Sequence, residues 1–168
     1  MKKNEEYIVT CIDDTDLNSG VVKIDDMVVF VPNLLIGEKA KIKIVKVNKK
    51  YAFGIITQLL KPSINRQELT CEVAKTCGGC QLQYMKYAYQ LDYKYKHVKK
   101  LFEDIEVKPI LGMDSPWYYR NKAQFPVKIK DGKVQMGFYR QHSNDVVTCK
   151  ECKIQDFTIN EIFGFIQK

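Results

Sequence analysis

The feature that most constrains this chain is the regular spacing of β-like runs over its first sixty residues. YIVTCI (7–12), GVVKI (20–24), MVVFV (27–31), KAKIKIVKV (39–47) and YAFGIITQLL (51–60) are rich in Val and Ile. The stretches between them, NSG, Asp25-Asp26, PNLLIG and NKK, are short and turn-forming. Five short strands joined by tight turns have few ways to satisfy their edges, and closing the sheet on itself is the simplest. The pattern predicts a small barrel of the OB type, and an SH3-like barrel shares the same signature.

With 168 residues the chain has room for one medium domain or two small ones, and 45% hydrophobic with 28% charged residues is ordinary for a globular protein. It contains no apolar run long enough to span a bilayer and no charged-then-apolar leader, so a cytoplasmic protein without a membrane partner is expected. Lys and Arg number 27 against 20 Asp and Glu, a formal charge of +7, which favours a polyanionic partner.

The fourth run localises part of that charge. Lys39, Lys41 and Lys43 alternate with Ala40, Ile42 and Ile44, so the ammonium groups share one face and the apolar side chains the other. Lys46, Lys49, Lys50 and the aromatic Tyr51 follow directly. Such a row can track phosphates while Tyr51 stacks on a base. Lysines that keep an edge strand from pairing with another chain would look the same.

Residues 61–71 lose the alternation and read as a linker. After them Tyr84, Ala88, Leu91, Tyr95, Val98 and Phe102 recur at steps of three and four, an amphipathic helix with these side chains inward. From Tyr119 the pattern alternates again. Tyr119, Asn121, Ala123, Phe125 and Val127 fall on one face, Arg120, Lys122, Gln124 and Lys128 on the other. Asp131-Gly132 then marks a two-residue hairpin turn, and Gly137 an irregularity in the returning strand. A helical pattern starts near the end of the chain.

Cys71, Cys77 and Cys80 are spaced C-x5-C-x2-C, with Gly78 and Gly79 letting the chain curl around a common centre and aim backbone N–H groups at sulfur. Structural zinc usually shows two C-x2-C pairs, or Cys mixed with His. His97 and His142 stand at no ligand spacing and read as surface or hairpin residues. Three close cysteines with one distant partner suit a [4Fe–4S] cluster better. Cys11, Cys149 and Cys152 are the available fourth ligands, and spacing does not separate the last two.

The run CGGCQLQ with its Tyr-rich helix, then PILGMDSPWYYRNKAQFPV and MGFYRQHSNDVV, resembles the bacterial RNA uracil-5-methyltransferases that modify 23S rRNA. The resemblance extends over nearly the whole chain and makes the N-terminal barrel similar to a TRAM domain, an OB-like RNA-binding module. It implies a [4Fe–4S] cluster held by Cys71, Cys77, Cys80 and, through the match of CKIQ, Cys152, with Cys149 as a neighbour. It also implies RNA contacts from Arg120, Lys122 and Gln124, in the segment YRNKAQF. In that family a cysteine thiolate adds to C6 of a flipped-out uracil and C5 takes the methyl group of S-adenosylmethionine. The cofactor-binding domain and the catalytic residues belong to a C-terminal part not found in these residues, so no catalytic residue is assigned and the 168 residues alone are expected not to methylate.

The expected architecture is therefore mainly β: a five-stranded OB-like (TRAM) barrel over residues 1–62, then a partial α+β domain over 63–168 with a cysteine segment, a helix and a hairpin. No protein partner is inferred. A stand-alone RNA-binding module, with zinc or no metal on its cysteines, is the alternative reading. A radical enzyme fits less well, because those place three cysteines at C-x3-C-x2-C and leave one iron open.

Overall fold

The computed structural model describes residues 1–102 and 104–167. It is mainly β and forms two compact units, Met1–Gln67 with Tyr84–Val107 and Glu68–Gln83 with Lys108–Lys168.

The first unit is a curled sheet. The five predicted runs become β1 (Glu6–Thr10), β3 (Ser19–Ile24), β4 (Met27–Pro32), β5 (Lys39–Val47) and β6 (Tyr51–Lys61), with a two-residue β2 (Asp13–Asp14) as the continuation of the first. The strand order is β1-β5-β6-β4-β3-β2, so the two edge strands are consecutive in the chain and only Cys11 and Ile12 separate them. Cys11 N–H donates to the Glu38 carbonyl and Ile12 N–H to that of Val21, both at 2.9 Å, so the link serves both sides of the sheet. Register shifts at three places between β5 and β6 supply the bulges that curl a flat sheet. Gly20 is required at the corner, because a Cβ there would run into the Leu34 carbonyl and the Cys11 sulfur. Inside the curl Val22, Val29, Val31, Ala40, Ile42, Ile44 and Ala52 are wholly buried.

Helix α1 (Tyr87–Leu101) belongs to this unit, whereas the sequence pattern grouped it with residues 63–168. Its buried face also differs from the predicted stripe. Tyr93 is the buried residue, with Tyr89 and His97 half-buried one turn to either side, while Ala88, Val98 and Phe102 are exposed. The cause is polar. Tyr93 O–H donates to the Thr15 carbonyl and its oxygen accepts from Asn18 N–H, and His97 Nε2 is 3.1 Å from Asp14 Oδ1. Rings that pack and also hydrogen-bond choose the face with partners, not the most apolar one. His97 is thus no surface residue.

Residues 63–67, read as linker, are tied down. Glu38 is fully buried and receives Arg66 Nε at 2.5 Å, the Ser63 N–H at 3.0 Å and the Leu35 N–H at 2.9 Å. The Arg66 guanidinium lies over the Tyr84 ring, 4.7 Å from its centroid.

The second unit has little regular structure. β7 (Val127–Lys130) and β8 (Lys133–Met136) form the expected hairpin, with Asp131 and Gly132 at φ 52° and 73°, the left-handed pair a type I′ turn needs. β9 (Phe138–Tyr139) pairs with β10 (Val146–Val147), and Gly137 sits where β8 gives way to β9. A side chain on Gly137 would collide with the Val147 carbonyl. Helix α2 (Phe157–Ile166) is capped by Asp156, whose carboxylate accepts from Thr158 N–H at 2.8 Å. Its Phe163 stacks on Phe125 with centroids 4.3 Å apart, and Phe138 completes a small aromatic core.

The alternation from Tyr119 does not become a strand before Val127. Arg120 N–H donates to the Ile154 carbonyl and Asp156 N–H to the Arg120 carbonyl, both at 2.9 Å, so the CKIQ segment takes the hydrogen bonds that a hairpin partner would have taken. Lys122 and Gln124 therefore stand exposed on irregular chain, not on one strand face with Arg120.

Candidate nucleic-acid interface and cysteine centre

The cysteine loop is fastened to the chain that continues from β9. Gly78 N–H donates to the Tyr139 carbonyl and Gln141 N–H to that of Thr76, each at 2.9 Å, and Cys77 bridges Arg140 antiparallel. The approach is close, and a Cβ on Gly78 would stand 3.2 Å from the Tyr139 oxygen, a tight contact. The next N–H, of Gly79, donates to Cys77 Sγ at 3.3 Å, as the double glycine suggested. Cys152 arrives from the other side on a turn clamped by α2. Asn160 Oδ1 accepts from Cys152 N–H at 2.8 Å, and its amide nitrogen donates to the carbonyls of Cys152 and Gln155 at 3.0 Å each.

Cys71, Cys77, Cys80, Cys149 and Cys152 line one cavity whose other walls include Val73, Phe138, Ile154 and Arg120. Cys11 is elsewhere, buried in the first unit's core with its thiol donating to the Asp13 carbonyl at 3.2 Å. Burial pushes the Cys80 thiol up to about 11 and Cys149 up to about 12, and neighbouring thiols push each in the same direction. Cys152 is also raised, by burial first and by Cys71, although the N–H groups of Ile154 and Gln155 and the Arg120 charge act against this. Arg120 likewise opposes the shift of Cys80. These thiols crowd negative charge if ionised, and a cationic centre would relieve it.

Among the described residues, no group of three or more His, Cys, Asp or Glu side chains is arranged as a site for a metal ion. The groups lining the cysteine cavity are thiols among largely apolar surface, a donor set that would suit an iron–sulfur cluster or thiolate-bound zinc and not a hard cation.

In the first unit, β5 turns Lys39, Lys41 and Lys43 outward over the buried Ala40, Ile42 and Ile44, as the alternation predicted. Lys41 is already committed, its Nζ lying 2.6 Å from Glu6 Oε2 on β1. Among the described residues Lys43, Lys46, Lys49 and Lys50 make no ion pair. Lys49 and Lys50 are exposed in the β5–β6 turn and Tyr51 is exposed at the start of β6. Sequence reasoning missed two neighbours of Tyr51. Phe53 and Phe30 share its outward face, and the parity of YAF and of MVVFV carried that signal.

Residues 3–57, which make up most of the curled sheet of the first unit, match the model of the TRAM domain. Over its full length the chain is 43% identical to a protein of Oceanobacillus iheyensis and 38% identical to one of Clostridium acetobutylicum, both called uncharacterized RNA methyltransferases. It spans 38% of the length of each. Its fold matches the crystal structure of the Pyrococcus abyssi tRNA (uracil-54, C5)-methyltransferase in complex with S-adenosyl-L-homocysteine, with a TM-score of 0.61 and 22% identity over 95% of this chain and 35% of that one. The chain is thus similar over its full length to part of proteins called RNA methyltransferases. No helix among the described residues is long and apolar enough to cross a membrane.

Proposed function

We propose that these residues are the RNA-recognition part of an S-adenosylmethionine-dependent RNA uracil-5-methyltransferase of the cytoplasm, with a [4Fe–4S] cluster on Cys71, Cys77, Cys80 and Cys152. The proposed division by role is a TRAM barrel over residues 1–62 and, over 63–168, the cluster-bearing start of the RNA-binding region, of which residues 63–67 and α1 fold with the barrel. The observation that carries this reading is the convergence of the C-x5-C-x2-C loop and Cys152 on one sulfur-lined cavity, in a chain whose residues 3–57 match the TRAM domain. Cys152 is favoured over Cys149 because its turn is clamped by Asn160, which holds both the N–H and the carbonyl of Cys152.

When bound, the cluster would accept the four thiolates and cross-link the 71–80 loop to the 152–156 turn; methyl transfer needs no electron from it. The rest is done by this chain's own residues. Lys39, Lys43, Lys49 and Lys50 offer phosphate contacts, with Lys41 restrained by Glu6. Tyr51 offers a base contact. Arg120 is divided between the cysteine cavity, which it lines, and RNA, while Lys122 and Gln124 are exposed beside it. Methylation itself is assigned to the whole protein, with 23S rRNA as the substrate that the sequence resemblance implies.

Anaerobic purification, with iron, sulfide and zinc assayed and the visible spectrum recorded, tests the centre. Equal iron and sulfide, abolished by Cys152→Ala and retained in Cys149→Ala, are expected; zinc, or indifference to Cys152, would leave an RNA-binding module without the cluster. The substrate is tested by deleting the gene and measuring 5-methyluridine in purified 23S rRNA and tRNA. Loss from tRNA alone would overturn the rRNA assignment.

A further inference from the structure

Three aromatic rings stand on the outside of the TRAM sheet, where the barrel core has no use for them. Phe30 on β4 pairs in register with Phe53 on β6, and Tyr51 lies two residues along the same face. The rings form a triangle with centroids 5.5, 5.8 and 5.9 Å apart, and none of them belongs to the core cluster. Ile55, 47% exposed, extends the patch on β6. An outward aromatic patch on a small domain marks a contact surface.

Its surroundings say which kind. Lys46 is the register partner of Phe53 and Lys43 that of Ile55, and Lys49 and Lys50 occupy the turn leading into Tyr51. Among the described residues none of these four lysines has a carboxylate partner, whereas Lys41, on the same face of β5, has Glu6. Rings bordered by unpaired cations match a chain that alternates flat faces with phosphates. A base can stack on a ring only when it is free of its own helix, so a duplex would meet the lysines and miss the rings.

The geometry points to Phe30, Tyr51 and Phe53 as a stacking platform for unpaired RNA bases, with Lys43, Lys46, Lys49 and Lys50 holding the flanking phosphates. This rests on the RNA-binding reading above and adds the class of RNA: a single-stranded segment, bound by its base faces.

The test is binding of a fluorescein-labelled twelve-nucleotide RNA, single-stranded or annealed to its complement, to the full 168-residue chain across a KCl series. The single strand is expected to bind more tightly. A Phe30→Leu/Phe53→Leu variant, which keeps the patch apolar and whose folding is checked by thermal melting, should weaken it about tenfold or more with the salt slope unchanged. Lys46→Gln/Lys49→Gln/Lys50→Gln should instead lower that slope by about 2. Equal binding of duplex and single strand, or a double Leu variant that binds as well as wild type, would overturn the platform while leaving RNA binding intact. No binding of either RNA would sink the RNA reading and the platform together. Rings needed for self-association in sedimentation but not for RNA would reassign the face to a protein contact and overturn the inference.

Discussion

The two units reach a folded state by different means. In the first, strands that pair in one continuous order enclose Val22, Val29, Val31, Ile42 and Ile44, and burial of that kind is worth about 25 cal/mol per Å² of apolar surface. In the second, the apolar side chains buried among the described residues reduce to Val147, Cys149, Ile154 and Phe163, and its strands pair only two by two. Ile129, Val134, Phe165 and Ile166 remain largely exposed there. A segment with so small a core needs a cross-link, and the second unit holds five of the six cysteines. The first unit is closed by its own side chains; the second gathers five thiols around one cavity instead.

The largest expected effect tests that contrast directly. Stripping iron from the anaerobically prepared chain with a chelator should remove hydrogen-exchange protection from residues 68–83 and 108–167 and leave the β3–β6 amides protected. Metal ligation by thiolates is worth on the order of 10 kcal/mol, more than a core of this size supplies. A second unit whose protection survives chelation would mean that its fold does not depend on the cluster.

The converse experiment breaks the first unit alone. Arg66→Leu leaves the buried Glu38 carboxylate without its cation and should cost about 3–5 kcal/mol in urea unfolding of the barrel, with iron content unchanged. The pH dependence comes from the same pair. Burial raises Glu38, but Arg66 and the N–H groups of Ser63 and Leu35 outweigh it, so the folded carboxyl titrates below its ordinary value of 4.5. The stabilisation is therefore complete above the unfolded value and is lost as pH falls through the folded one. Wild-type barrel stability should drop below about pH 4.5, and in Arg66→Leu that acid limb should flatten or reverse. An unchanged acid limb would show that other carboxyls control it.

The same contrast explains what the sequence could disclose. The barrel strands were legible because each carries alternation and punctuation within ten residues, and β5 even announced its lysine face. The glycines of the cysteine loop and the Asp131-Gly132 turn were legible for the same local reason. What failed was set by partners far along the chain. The 119–126 alternation found residues 154 and 156 instead of a hairpin strand, and the face of α1 was chosen by Thr15, Asn18 and Asp14. Arg66 reached Glu38 across 28 positions with no periodicity to betray it. Cys149 and Cys152 differ mainly in what α2 does to their segment, which no spacing records.

The smallest and sharpest pair of predictions concerns that hold of α2 on the Cys152 turn. Asp156 and Asn160 are four residues apart, at the cap and in the first turn of α2, and both hydrogen-bond backbone, but to different ends. Asp156 caps the helix through Thr158 N–H, whereas Asn160 reaches out to Cys152 and Gln155. Asp156→Ala should cost about 1 kcal/mol of stability, the ordinary worth of an N-cap, with little change in the rate at which iron leaves. Asn160→Ala strands a donor and two acceptors on the Cys152 turn and should cost about 1–3 kcal/mol, and it should also speed iron loss to a chelator. The rate separates the roles where stability alone would not. Equal rates in the two variants would mean that the Cys152 turn needs no support from α2, and that the second unit's order around its cysteines comes from ligation alone.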